Sequence, residues 1–131
     1  MAVLKIKVKK SMEHEKINYV EYAAHDIKAT KQFFTKAFNW VFTDFGESYT
    51  AFTNAGLNGG FYQADKKSSA ENGGALIVLY SYDLEKSYQK VKAAGGKISK
   101  EIFPFPGGRR FQFIEPSGNE FGVWSKEEAA S

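Results

Sequence analysis

Two carboxylates and an arginine pair stand where this chain could do chemistry. Glu21 interrupts the apolar run at residues 19–24, Glu120 opens the last apolar run, and Arg109 and Arg110 follow a glycine pair. A carboxylate on a strand face lined by rings can move a proton to or from a substrate, or accept a hydrogen bond from a ligand. A guanidinium on such a surface can clamp a carboxylate or phosphate. Each also has a structural reading. Glu21 reads equally well as a buried acid paired with Arg109 or Arg110, and for Glu120 the structural reading is the better one. The two histidines stand apart, His14 in a polar stretch and His25 at a strand end, and read as structural or solvated rather than as ligands. With no cysteine, disulfides, thiolate metal sites and a cysteine nucleophile are excluded. The glycine pairs at 59–60, 73–74, 95–96 and 107–108 read as turns, caps and bulges. None precedes a helix as a phosphate-binding loop does, so no nucleotide site is expected.

Composition narrows the class of protein. The 131 residues suffice for one domain or for two small repeats sharing a core. A formal charge of +3 does not demand a polyanion, so no nucleic-acid partner is expected. The longest apolar run, residues 75–80, is far short of the roughly 20 residues a membrane helix needs. Lys5, Lys7, Lys9 and Lys10 stand where a secretory signal would be apolar, which makes a cytoplasmic setting the expectation. Aromatic residues make up 16 % of the chain, enough flat surface to fill a core and also wall a cavity.

The elements that must position the candidates can be read from periodicity. Residues 1–16 are a leader strand, with Leu4, Ile6 and Val8 alternating with lysines, followed by a polar linker. Residues 17–24 alternate as a strand. Asp26 then caps a helix whose apolar stripe is Ile27, Thr30, Phe33, Phe34, Ala37 and Phe38. Strands at 41–45, 49–53 and 57–63 complete a first module, residues 17–63. Residues 64–74 form a polar linker. Module two, residues 75–125, repeats the order: strand 75–80, a helix capped by Asp83 with Leu84, Ser87, Tyr88, Val91 and Ala94 inward, strand 97–103, a turn-rich loop at 104–108, and a hairpin joining 110–114 to 120–125. Residues 126–131 are a frayed tail.

An offset of 57 superposes the modules without a gap, carrying Asp26 to Asp83, Val20 to Ile77, Ile27 to Leu84, Phe34 to Val91 and Val41 to Ile98. Strand parity follows. Val20, Tyr22 and Ala24 face the first helix, as Ile77 and Leu79 face the second, leaving Tyr19, Glu21 and Ala23 with Leu76, Val78 and Tyr80 on the opposite faces. In the last strand Phe121 and Val123 are covered, and Glu120, Gly122 and Trp124 are not. The expectation is that the two uncovered faces curl inward around one hollow, into which parity also sends one of the arginine pair, taken as Arg110.

Residues 17–40, INYVEYAAHDIKATKQFFTKAFNW, resemble the opening strand and helix of the vicinal oxygen chelate superfamily, which includes glyoxalase I, bleomycin-resistance proteins and extradiol dioxygenases. Residues 105–125, FPGGRRFQFIEPSGNEFGVWS, resemble its closing hairpin. The resemblance implies an α+β fold of two βαβββ modules forming an open, U-shaped β-barrel around a site, and a homodimer. It also implies four metal-ligand positions, which fall here on Tyr19, Gly59 or Gly60, Leu76 and Gly122. Leucine and glycine offer no ligand atom, so no divalent metal or other cofactor is expected. The favoured function is metal-independent binding of an aromatic or amphipathic small molecule in a cavity lined by Tyr19, Glu21, Leu76, Val78, Tyr80, Arg110, Glu120, Gly122 and Trp124. The alternatives are a glyoxalase-like lyase or isomerase with Glu21 as proton shuttle, and a module that recruits a partner through its leader strand.

Overall fold

The computed structural model describes residues 12–126; the leader strand and residues 127–131 lie outside that range. Asp26 receives the Ala29 N–H at 3.0 Å and starts α1 (Ile27–Phe38), and Asp83 receives the Lys86 N–H at 3.2 Å and starts α2 (Leu84–Ala93). Both N-caps are therefore as the repeat predicts. Asn39, at φ 61°, turns the chain out of α1 with its N–H bonded to the last carbonyls.

Each helix belongs to a four-stranded mixed sheet. The first sheet is ordered β1 (Tyr19–Ala24), β4 (Asn58–Gln63), β3 (Tyr49–Thr53), β2 (Val41–Asp44). The second is ordered β5 (Ile77–Tyr80), β8 (Glu120–Lys126), β7 (Gly108–Ile114), β6 (Lys97–Phe105). β1 and β5 each run parallel to the last strand of their module and form a sheet edge. This is the α+β architecture of two βαβββ modules.

Element bounds differ from the expectation at several places. β2 ends one residue early, β4 starts one residue late and β5 two, and β7 starts at Gly108 inside the expected loop. Three further differences have local reasons. β1 starts at Tyr19 rather than 17, because Ile17 is exposed and unpaired with β4. β6 runs through Pro104 to Phe105, two residues past the expected end. As an edge strand it tolerates proline, and Pro104 sits opposite Arg109 in the ladder. β8 extends to Lys126, a residue expected to fray, because Gly108 pairs with it.

The helix-covered faces of both sheets drain into one core. Phe34 is fully buried and touches Phe61 of β4 and Phe121 of β8, with ring centroids 5.8 and 5.1 Å away. Tyr22 of β1 meets Phe121 at 5.0 Å, and Phe33 meets Phe113 of β7 at 5.5 Å. A second junction is polar. The turn at residues 115–119 inserts against the end of β1 and the cap of α1, with Glu115 and Asn119 buried inside it.

Candidate functional site

Between the β1 edge of one sheet and β5 of the other lies an apolar cavity of about 620 Å³. Its floor is Trp40, Phe52 and Tyr22, and its mouth is set by Leu76, Val78 and Tyr80 together with the 55–57 turn. Trp40 reaches it because the left-handed Asn39 redirects the chain. Its ring then stacks between Phe34 (4.2 Å, 9°) and Phe52 (4.6 Å, 28°). The few polar groups here are phenols. Burial pushes the Tyr22 hydroxyl up to about 12, while the Ile77 backbone pulls the other way, so it is neutral at physiological pH.

The uncovered face of the first sheet carries a different chemistry. Tyr49 on β3 donates to Glu21 Oε2 at 2.8 Å, and its oxygen lies 2.6 Å from the Tyr19 hydroxyl. Burial first, and then these two bonds, push the Tyr49 phenol above its ordinary range. Gly60 makes the arrangement possible, since a Cβ there would collide with the Tyr49 hydroxyl. Glu21 thus pairs with a tyrosine, not with either arginine.

On the uncovered face of the second sheet, Arg110 lies over the Phe103 ring at 5.5 Å and donates to Gln112 Oε1 at 2.7 Å. Gln112 in turn donates to Glu120 Oε2 at 2.9 Å. Glu120 is spent on structure: it also receives Ser99 Oγ at 2.6 Å and the Ala70 N–H at 2.9 Å, tying the linker to β8. Burial raises its carboxyl, but these donors and Lys100 together hold it below the ordinary value. Trp124 packs edge-on against Tyr80 at 4.9 Å, and Gly122 faces Val78 and Leu76 with room for a side chain. Arg109 points instead to Glu85 of α2, at 2.6 Å.

The predicted site residues are spread over three neighbouring places, with Gly122 and Trp124 beside Leu76, Val78 and Tyr80. Leu76, Val78 and Tyr80 line the seam cavity. Tyr19 and Glu21 belong to the tyrosine cluster. Arg110, Glu120, Gly122 and Trp124 share the far sheet. The modules join through their helix-covered faces, so the seam cavity takes Val20, Tyr22 and Phe121 from those faces, while the edge strand β5 lines it with both parities, Ile77 and Leu79 as well as Leu76, Val78 and Tyr80. Trp40 and Tyr49 were not singled out by sequence: one follows a helix as core residues do, and the face of the other depends on a register set by partner strands.

Residues 16–123 match the profile of the Glyoxalase/Bleomycin resistance protein/Dioxygenase superfamily. The chain belongs to that superfamily. No curated protein matches it. Among solved structures, it is similar to a glyoxalase-related enzyme from Fulvimarina pelagi, with 13% identity, TM-score 0.71 and coverage of 86% of this chain and 88% of that one. It is also similar to the fosfomycin resistance protein FosX from Listeria monocytogenes (18% identity, 0.68, 89% and 96%) and to lactoylglutathione lyase from Agrobacterium tumefaciens (16% identity, 0.65, 86% and 95%). At such identities the likeness is one of fold. The superfamily's metal positions can be tested on the side chains present. Leu76 and Gly122 supply no donor, Gly60 is covered by the Tyr49 ring, and Tyr19 is hydrogen-bonded to that same residue. Among the described residues no three His, Cys, Asp or Glu side chains converge as a metal shell would need. The donor set does not fit a superfamily metal ion.

Proposed function

We propose that this superfamily member binds an aromatic or amphipathic small molecule in the seam cavity, without a metal ion. The observation that carries the reading is the cavity itself: about 620 Å³, walled by aromatic and branched side chains and floored by Trp40. That size and lining suit a ligand held by apolar burial and ring stacking, with the Tyr22 and Tyr80 phenols to orient it. The chemistry supports binding more directly than turnover, because none of the described residues that line this cavity is a carboxylate or an imidazole.

The test uses the tryptophans as reporters. In W124F, Trp40 is the sole tryptophan, and titration with the amphiphilic naphthalene dye ANS is expected to quench its emission at saturation. Leu57→Phe in that background, which fills the mouth without adding an indole, is expected to weaken binding by about tenfold or more, because its ring takes space the dye needs. Dye binding that is unchanged by Leu57→Phe would reject the site.

The same reading includes a homodimer. Val78, Tyr80 and Tyr82 are 37%, 42% and 90% exposed along and beyond β5, an edge strand among the described residues, and Val78 and Tyr80 line the cavity. A second copy over this edge would cover them and roof the cavity. Sedimentation equilibrium is expected to give twice the chain mass, and Val78→Lys to shift the protein to monomer. A wild-type monomer at all concentrations would exclude the dimer.

A further inference from the structure

Apart from the seam cavity, the Tyr19, Tyr49 and Glu21 cluster has a hydrogen-bond polarity that can be worked out atom by atom. Tyr49 has one hydroxyl hydrogen, and it is directed to Glu21 Oε2. The 2.6 Å contact between the two phenols therefore requires Tyr19 to donate to Tyr49. Both phenolic hydrogens are consumed inside the cluster. What it presents outward is acceptors only: the lone pairs of Tyr19 and the second oxygen of Glu21. The Glu21 carboxylate has no cation of the described residues in ion-pair contact. Rings flank it on the same face. Tyr62 stands opposite Ala23 and Tyr49 in the ladders, and Phe45 lies 6.4 Å from the Tyr49 ring. Beside the cluster, Glu21, Ala23 and Tyr62 line a second cavity of about 310 Å³ together with Lys66 and Lys67.

We infer that this face binds an organic ammonium compound. A carboxylate and phenolic oxygens accept its N–H groups, and the electron-rich faces of Tyr62 and its neighbours attract its charge. At the cluster itself a ligand group that can only accept hydrogen bonds finds no donor. Lys66 and Lys67, in the lining of the same cavity, favour an acceptor or anion elsewhere on the ligand over a second cation. Tyr49 is the positioning residue. It fixes the direction of both phenolic hydrogens and holds Glu21 in place, which Gly60 permits by leaving space for its ring.

The probes are benzylammonium, benzyl alcohol and benzoate, three compounds of one shape and different polarity, each titrated into ¹⁵N-labelled full-length protein at neutral pH. Benzylammonium is expected to shift the amide signals of residues 19–21 and 60 and to bind about tenfold more tightly than benzoate, the difference made by one charge-assisted hydrogen bond. Glu21→Gln should remove that preference while the spectrum remains that of the folded protein. Tyr49→Phe should weaken benzylammonium and strengthen benzyl alcohol, because the freed Tyr19 hydrogen then points outward as a donor. Equal or tighter binding of benzoate at these amides, or a preference that survives Glu21→Gln, would overturn the inference. So would the absence of any shift at these amides with all three probes. The two cavities share Val20, Tyr22 and Ile77, and dye quenching of Trp40 that is unchanged in Glu21→Gln is the result expected if the two sites act separately.

Discussion

Glu115→Ala is expected to cost about 3 kcal/mol or more of folding stability, because it strips the acceptor from two buried backbone donors at once. The Glu115 carboxylate is 2 % exposed. One oxygen receives Thr30 Oγ1 at 2.6 Å and the Ser117 N–H at 3.0 Å; the other receives the Asn119 N–H at 3.1 Å and its side-chain amide at 2.8 Å. Asn119 also donates to the Ala23 carbonyl at 2.8 Å, and the Ser117 hydroxyl bonds the backbone of Asp26. A turn of module two is thereby fastened to the strand end, the helix cap and the first helical turn of module one. The donors it served are buried and lose their acceptor when the carboxylate is removed, which is why the loss exceeds that of an exposed acid such as Glu101. Urea denaturation of both alanine variants measures the difference, and a cost below that of Glu101→Ala would show that the network is not holding the modules together.

The same residue has a pH signature. Burial pushes the Glu115 carboxyl above the ordinary carboxylate range, against the pull of its Ser117, Thr30 and Asn119 donors. A raised folded value means that the native state binds the proton more tightly than the unfolded chain. Its contribution is then complete below the ordinary carboxylate range and is lost as pH rises through the folded value. Glu115→Gln is expected to abolish that part of the pH dependence, flattening the wild-type decline above about pH 4.5.

What could be read from the sequence was whatever is decided locally. Asp26 and Asp83 cap their helices by bonds three residues long, and β-strand parity put Tyr22 under a helix and Glu21 on the opposite face without any knowledge of neighbours. Pairings across long stretches of chain were a different matter. Glu115 reads as one more polar residue of an EPSGN turn, and only its docking on Thr30, 85 residues away, makes it a buried anchor. Tyr49 joins Glu21 because β3 and β1 both flank β4 in one register, which periodicity does not specify. The seam cavity depends on how two sheets meet. Alternation assigns a residue to a face, but the angle between faces comes from how Phe34, Phe113 and Phe121 fill the space between them.

That shared filling yields the second large effect. Phe34→Ala is expected to destabilise the protein by about 3–5 kcal/mol, the range for truncating a fully buried phenylalanine whose surroundings cannot collapse. Phe34 is poorly placed for relief. Its ring is stacked on Trp40 at 4.2 Å and packed against Phe33 at 4.9 Å, so helix and sheet both hold the walls of the void in position. Because the ring also touches β4 of one module and β8 of the other, the damage should not stay in one half. Wild type and variant are both expected to unfold in a single transition, with Trp40 fluorescence and far-ultraviolet circular dichroism moving together. Two separated transitions in the variant would mean that each βαβββ module has a core of its own. In that case the seam between them would be a contact of two independent bodies, and the cavity along it would be too loosely walled to select a ligand by shape.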